Sequence, residues 1–93
     1  MNTNKAIDEI RNEVKSFILN NYLYGYQEEE LDNDVSILDM GAIDSTGIIE
    51  LVLFMEEGYH IQVKDNEIIP ENLDSINRIS KYIVSKLDAA TCA

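Results

Sequence analysis

The sequence predicts an all-α fold: a small bundle of three amphipathic helices and one short helical turn, joined by a long first loop. Three observations lead there. Apolar residues recur at spacings of three and four in three separate stretches. The one weakly alternating segment, Tyr59 to Val63, has no partner strand, and an isolated strand is not stable, so it reads as loop. The chain has 93 residues, enough for one domain over 1–93 and too few for two cores. A chain of this length hides roughly 60–65% of the surface its unfolded form exposes, so the core must be small.

The first helix reads from about Asn4 to Tyr22, with Ile7, Ile10, Val14, Phe17 and Ile18 on one face and Asp8, Glu9, Arg11, Asn12 and Lys15 on the other. Gly25 lies just beyond its end. Tyr22, Tyr24 and Tyr26 beside that glycine read as packing at the end of this helix. The connection from about Leu23 to Ile43 holds the acidic cluster Glu28, Glu29, Glu30, Asp32 and Asp34, then the apolar anchors Val35, Ile37, Leu38 and Met40. Over twenty residues without a helix is long for a compact domain, and the anchors predict a loop pinned to the core. A second helix reads over 45–57, with Asp44 as N-cap and Gly58 as its stop. Residues 65–69 form one helical turn ended by Pro70. The last helix reads over 75–87, capped by Asp74, with Ile76, Ile79, Ile83 and Leu87 as its stripe; 88–93 are expected to be a flexible tail.

Eighteen Asp and Glu against seven Lys and Arg give a net charge of −11. Binding to nucleic acid needs clustered cations, and anionic membrane surfaces repel such a chain, so neither is expected. Basic proteins are the natural partners, met through salt-sensitive steering. The single cysteine, Cys92, cannot form an internal disulfide and reads as a free tail thiol. No continuous apolar run marks a signal peptide or a membrane span, so a cytoplasmic location is expected.

The informative stretch runs from Leu38 to Glu57. On a helical wheel Ile48, Leu51, Val52 and Met55 make a core face. Ser45, Thr46, Glu50, Leu53, Glu56 and Glu57 fall opposite. Between Lys15 and Lys64 there are ten acidic residues and no Lys or Arg. A negative face with an apolar spot suits a basic, partly apolar partner patch. Ser45 stands in the first turn, where unpaired backbone N–H groups and the helix dipole favour an attached anion. Taken alone, Asp44-Ser45 is an ordinary capping pair.

Over a longer span the chain resembles the acyl carrier protein family, the phosphopantetheine-dependent carriers. The likeness is carried by Leu38, Met40-Gly41, Asp44-Ser45, Glu50-Leu51-Val52, Met55-Glu56-Glu57, Asp65 and the segment from Leu73 to Ile83. It implies a right-handed four-helix bundle with a short third helix. It implies 4′-phosphopantetheine, delivered from coenzyme A by a phosphopantetheinyl transferase, on Ser45, with Asp44 helping that transferase and its metal ion engage. Thr46, Glu50, Leu53, Glu56 and Glu57 match the family's partner-binding face. Ile48, Val52, Ile68, Ile69 and Leu73 would line an acyl cleft. The implied protein is not an enzyme but a monomeric shuttle that holds acyl or aminoacyl groups as thioesters. Its further partners would be loading ligases or synthases with basic docking patches. The family's fatty-acid carriers have leucine after the modified serine, whereas Thr46-Gly47 follow here. That departure points to a specialised pathway, and Ser-x-Gly is similar to carriers loaded with amino acids such as the D-alanyl carrier proteins.

Other readings fit less well. Asp32-Asn33-Asp34-Val35-Ser36 opens like a calcium loop but has Ile37 and Ile43 where glycine and a bidentate Glu are needed. His60, the only histidine, has no second ligand at metal spacing, and pairing it with Ser45 for hydrolysis lacks an oxyanion hole. The rival from a different class is an acidic helical adaptor that binds basic partners and is never modified.

Overall fold

The computed structural model describes residues 7–22, 27, 31–41 and 43–92, without the side chains of Ser45 and residues 89–92. The expectations for residues 4–6, Tyr24, Gly25, Tyr26, Glu28, Glu29, Glu30 and the Cys92 thiol lie outside that set. The described chain is all helical: α1 (Ile7–Asn21), α2 (Ile37–Met40), α3 (Ser45–Tyr59), a 3₁₀ turn (Asp65–Glu67), α4 (Pro70–Leu73) and α5 (Ile76–Cys92). Ile10, Val14 and Ile18, four residues apart, are fully buried on α1, as are Leu51 and Met55 on α3 and Ile76, Ile79 and Ile83 on α5. These stripes meet in one apolar core, with α1 packed chiefly along α5. Ile61 and Val63 in the segment after α3 turn into the same core without forming a strand.

The long connection is pinned, but by polar strapping as much as by apolar anchors. Leu31 and Ile37 are buried and Val35 packs beside them. The Ile37 amide donates to the Asp74 carbonyl at 2.6 Å, and the Asp74 carboxylate accepts from the Ser36 hydroxyl at 2.7 Å and the Leu38 amide at 3.2 Å. Leu38 and Met40, read as anchors, are 40% and 36% exposed instead. Both sit on α2, a turn missed in the sequence, which starts where Ser36 accepts from the Asp39 amide and ends at Gly41 in the left-handed region (φ 72°). A residue with a Cβ is disfavoured at that angle.

Four helix ends differ from expectation. α3 passes Gly58 and ends at His60 (φ 56°), because Tyr59 is buried and its hydroxyl donates to Glu13 on α1. Burial, then that bond, raises the Tyr59 pKa above the usual phenol range. Pro70 begins α4 rather than ending a turn over 65–69, since its missing N–H is harmless in a first turn. Asp74 does not cap α5. It faces Ser36 and Leu38, and Ser75 accepts from the Arg78 amide at 3.1 Å. α5 continues through Cys92, past the expected tail boundary at 87, because Ala89 and Ala90 are strong helix formers and no breaker intervenes.

Glu67 ties the 3₁₀ turn to α5. Its carboxylate accepts from the Lys64 amide, the Lys86 ammonium and the Tyr82 hydroxyl, each at 3.0 Å. The Lys64 amide, then the Lys86 bond, lowers its pKa from 4.5 to about 2. The stabilisation is therefore complete above pH 4.5 and is lost as pH falls through about 2. Thermal melts across that window should show the wild type losing stability on acidification more steeply than Glu67→Gln, which cannot titrate there.

Candidate functional site

The site is built at the start of α3. Asp44 is extended (φ −101°, ψ −168°); its carboxylate accepts from the Gly47 amide at 2.9 Å and its carbonyl from the Ile48 amide at 2.9 Å. This is a side-chain N-cap, as the sequence predicts, and it makes Ser45 the first residue of the helix. Asp44 itself is exposed. The first-turn amides and the positive end of the dipole thus converge around position 45.

Gly47, buried one turn in, explains how close the surroundings come. A Cβ there would lie 2.8 Å from Ile43 Cγ2 and 3.3 Å from Tyr22 Cε1. Glycine at 47 therefore serves close packing. Tyr22 at the end of α1 fills the space, its hydroxyl donating to Glu50 at 2.5 Å and lying 3.4 Å from the Gly47 carbonyl. Its ring meets Phe17 edge-on (5.8 Å between centroids), and Phe17 stacks on Phe54 at 4.3 Å. This aromatic cluster fixes α3 against α1.

Thr46, Glu50, Leu53 and Glu57 are exposed along α3, whereas Glu56 is half-buried and accepts from the Val63 amide at 3.0 Å. Glu56 thus holds the segment after α3. Ile49, 63% exposed and one turn before Leu53, joins this face and was missed; its spacing of four from Leu53 was the available signal.

Of the residues expected to line a cleft, Ile48, Ile68, Ile69 and Leu73 come together with Leu38 and Pro70 around an apolar groove of about 150 Å³. Val52 does not join them; it lines a neighbouring groove of about 290 Å³ with Ile49, Leu53, Glu56, Val63, Asp65 and Ile68.

His60 stands at the far end of α3, about 22 Å along the helix from Ser45 by its rise, too far for a shared proton. Asp32 accepts from the Asp34 amide at 2.9 Å, and Asp34 accepts from Asn77 at 2.5 Å. Among the described residues no three His, Cys, Asp or Glu side chains gather to hold a metal. No helix among them is long and apolar enough to cross a membrane.

No family model matches the chain. It is similar to a D-alanyl carrier protein of Abiotrophia defectiva, with 29% identity over 58 residues, which is 62% of this chain and 73% of that protein. Together with the helical fold, this similarity supports a carrier-protein family for the chain.

Proposed function

We propose that the chain is a non-catalytic carrier, modified at Ser45 with 4′-phosphopantetheine, that delivers acyl or aminoacyl groups to partner enzymes in the cytoplasm. The observation that carries this reading is the Asp44-capped start of α3, which makes position 45 the first helical residue. The residues fit the group. An anionic phosphodiester suits a helix N-terminus, and an apolar groove lined by Ile48 and Leu73 begins one turn away. The bound group supplies a thiol that holds cargo as a thioester. Asp44 keeps the first turn formed and offers a carboxylate beside the serine for the transferase and its metal ion. Tethering raises the local concentration of cargo at each partner without adding a chemical step.

Thr46-Gly47 after the serine and the D-alanyl carrier relative favour a specialised pathway with an aminoacyl or other small cargo over fatty acid synthesis. The partners are a phosphopantetheinyl transferase and a loading ligase or synthase with a basic docking patch, engaged by the monomer. Weak, charge-steered binding suits a shuttle that must leave after delivery.

Incubation with coenzyme A, magnesium and a broad-specificity phosphopantetheinyl transferase, followed by intact mass spectrometry, tests this. The wild type should gain one phosphopantetheine and Ser45→Ala none. A wild type that stays at its starting mass would instead fit the unmodified acidic adaptor.

A further inference from the structure

Among the described residues Arg11 pairs with Asp8 and Lys86 with Glu67, whereas Arg78 and Lys81 meet no carboxylate, although acidic residues outnumber basic ones by eighteen to seven. Both are exposed and stand three positions apart on one side of α5. The Arg78 guanidinium gives one N–H to the Glu71 carbonyl at 3.3 Å, and Lys81 gives none to any described residue. With Ser85 they line a polar cleft of about 700 Å³, to which α4 contributes Glu71 and the long connection Asp34. Pro70 and Leu73 line the apolar groove instead, so α4 separates the two hollows. Ser75 and Tyr82 line the polar cleft from buried positions, and the Tyr82 hydroxyl is held by Glu67 at 3.0 Å. The cleft is therefore preformed.

We propose that this cleft receives a short, extended, acidic segment of a partner protein. Its charge sense is opposite to that of the α3 face, and it needs no modification of Ser45, so it stands apart from the carrier reading. Two cations without partners call for carboxylates, and the planar guanidinium suits a two-pronged bond to one. A bare anion fits poorly, because Asp34 and Glu71 repel it from the same cleft. An extended segment answers both signs: carboxylates two positions apart point to one side, while its backbone N–H groups serve the Glu71 carboxylate. The Asp34 carboxylate already accepts from Asn77. From Ser75 to Ser85 the cleft runs about 15 Å along α5 by the helix rise. At about 3.3 Å per residue that length takes four or five residues of extended chain. Elsewhere the net charge of −11 repels an acidic segment, which confines it to this spot.

The probe is a fluorophore-labelled peptide of alternating glutamate and serine, capped at both ends, titrated with the full chain and followed by fluorescence anisotropy at low salt. The wild type should bind it, and added salt should weaken the binding. Lys81→Glu and Arg78→Gln should each raise Kd about tenfold. Lys64→Glu changes the net charge as much as Lys81→Glu does but lies outside the cleft, and should leave Kd near the wild-type value. Lys81 makes no bond to a described residue, so melting curves of its variant should match wild type. A wild type that does not bind the peptide overturns the proposal, as does equal weakening by Lys64→Glu and Lys81→Glu. Inorganic phosphate displacing the probe as well as unlabelled peptide does would make the cleft a site for small anions and overturn the extended segment. Sedimentation showing a wild-type dimer that Lys81→Glu dissolves would make a second copy the occupant, and overturn it too.

Discussion

Leu51→Ala is expected to remove about 2–5 kcal/mol of folding stability, through lost burial and the cavity left behind. Leu51 is fully buried midway along α3, within the core that α1 and α5 complete. A domain of this size has roughly 5–14 kcal/mol in all, so one truncation consumes a large share. The same change two positions on, Leu53→Ala, should stay within about 0.5 kcal/mol because that side chain is already half in water. Urea denaturation of the pair measures the contrast. Equal midpoints for the two variants would contradict the burial pattern of α3.

Gly47→Val should be nearly as damaging, for the opposite reason. The new Cβ would press on Ile43 Cγ2 at 2.8 Å, a methyl at the base of a buried, branched side chain with little room to yield. It would also crowd Tyr22 at 3.3 Å. Overpacking of this kind costs about 1–3 kcal/mol, and two branches on the new side chain put valine at the upper end. For a domain this small each kcal/mol lowers Tm by about 4–8 °C, so differential scanning calorimetry resolves the effect easily. A Gly47→Val protein melting at or above wild type would show that glycine is at 47 for no packing reason.

The bundle was legible because its signals are local. The spacing of Ile10, Val14 and Ile18, or of Ile76, Ile79 and Ile83, declares a buried stripe without knowledge of what covers it. The Asp44 cap was legible too, because a cap reaches only three residues ahead. What escaped depends on distant parts of the chain. Whether Leu38 anchors or stays exposed is decided by Asp74, thirty-six positions on. Glu56 reads as a surface carboxylate until the Val63 amide folds back onto it. The tight fit at Gly47 has no local sign, because one of the side chains that crowd it, Tyr22, arrives from the end of α1. Among the residues read as a cleft, Ile48, Ile68, Ile69 and Leu73 do gather in one groove. Val52 falls just over the ridge, a difference of a fraction of a turn that no spacing argument resolves.

Asn77 has a consequence for how so small a chain holds distant segments together. Its side-chain oxygen accepts from Arg11 Nε at 2.8 Å, its side-chain nitrogen donates to Asp34 at 2.5 Å, and its backbone amide donates to the Asn33 carbonyl at 3.0 Å. One amide residue thus clasps three stretches separated by 66 and 43 positions. Small secreted domains often assign that job to a disulfide, which limits how far the unfolded chain can spread. This chain, with a lone cysteine, uses a reversible knot instead, indifferent to redox conditions and open to undoing by any solute that competes for hydrogen bonds.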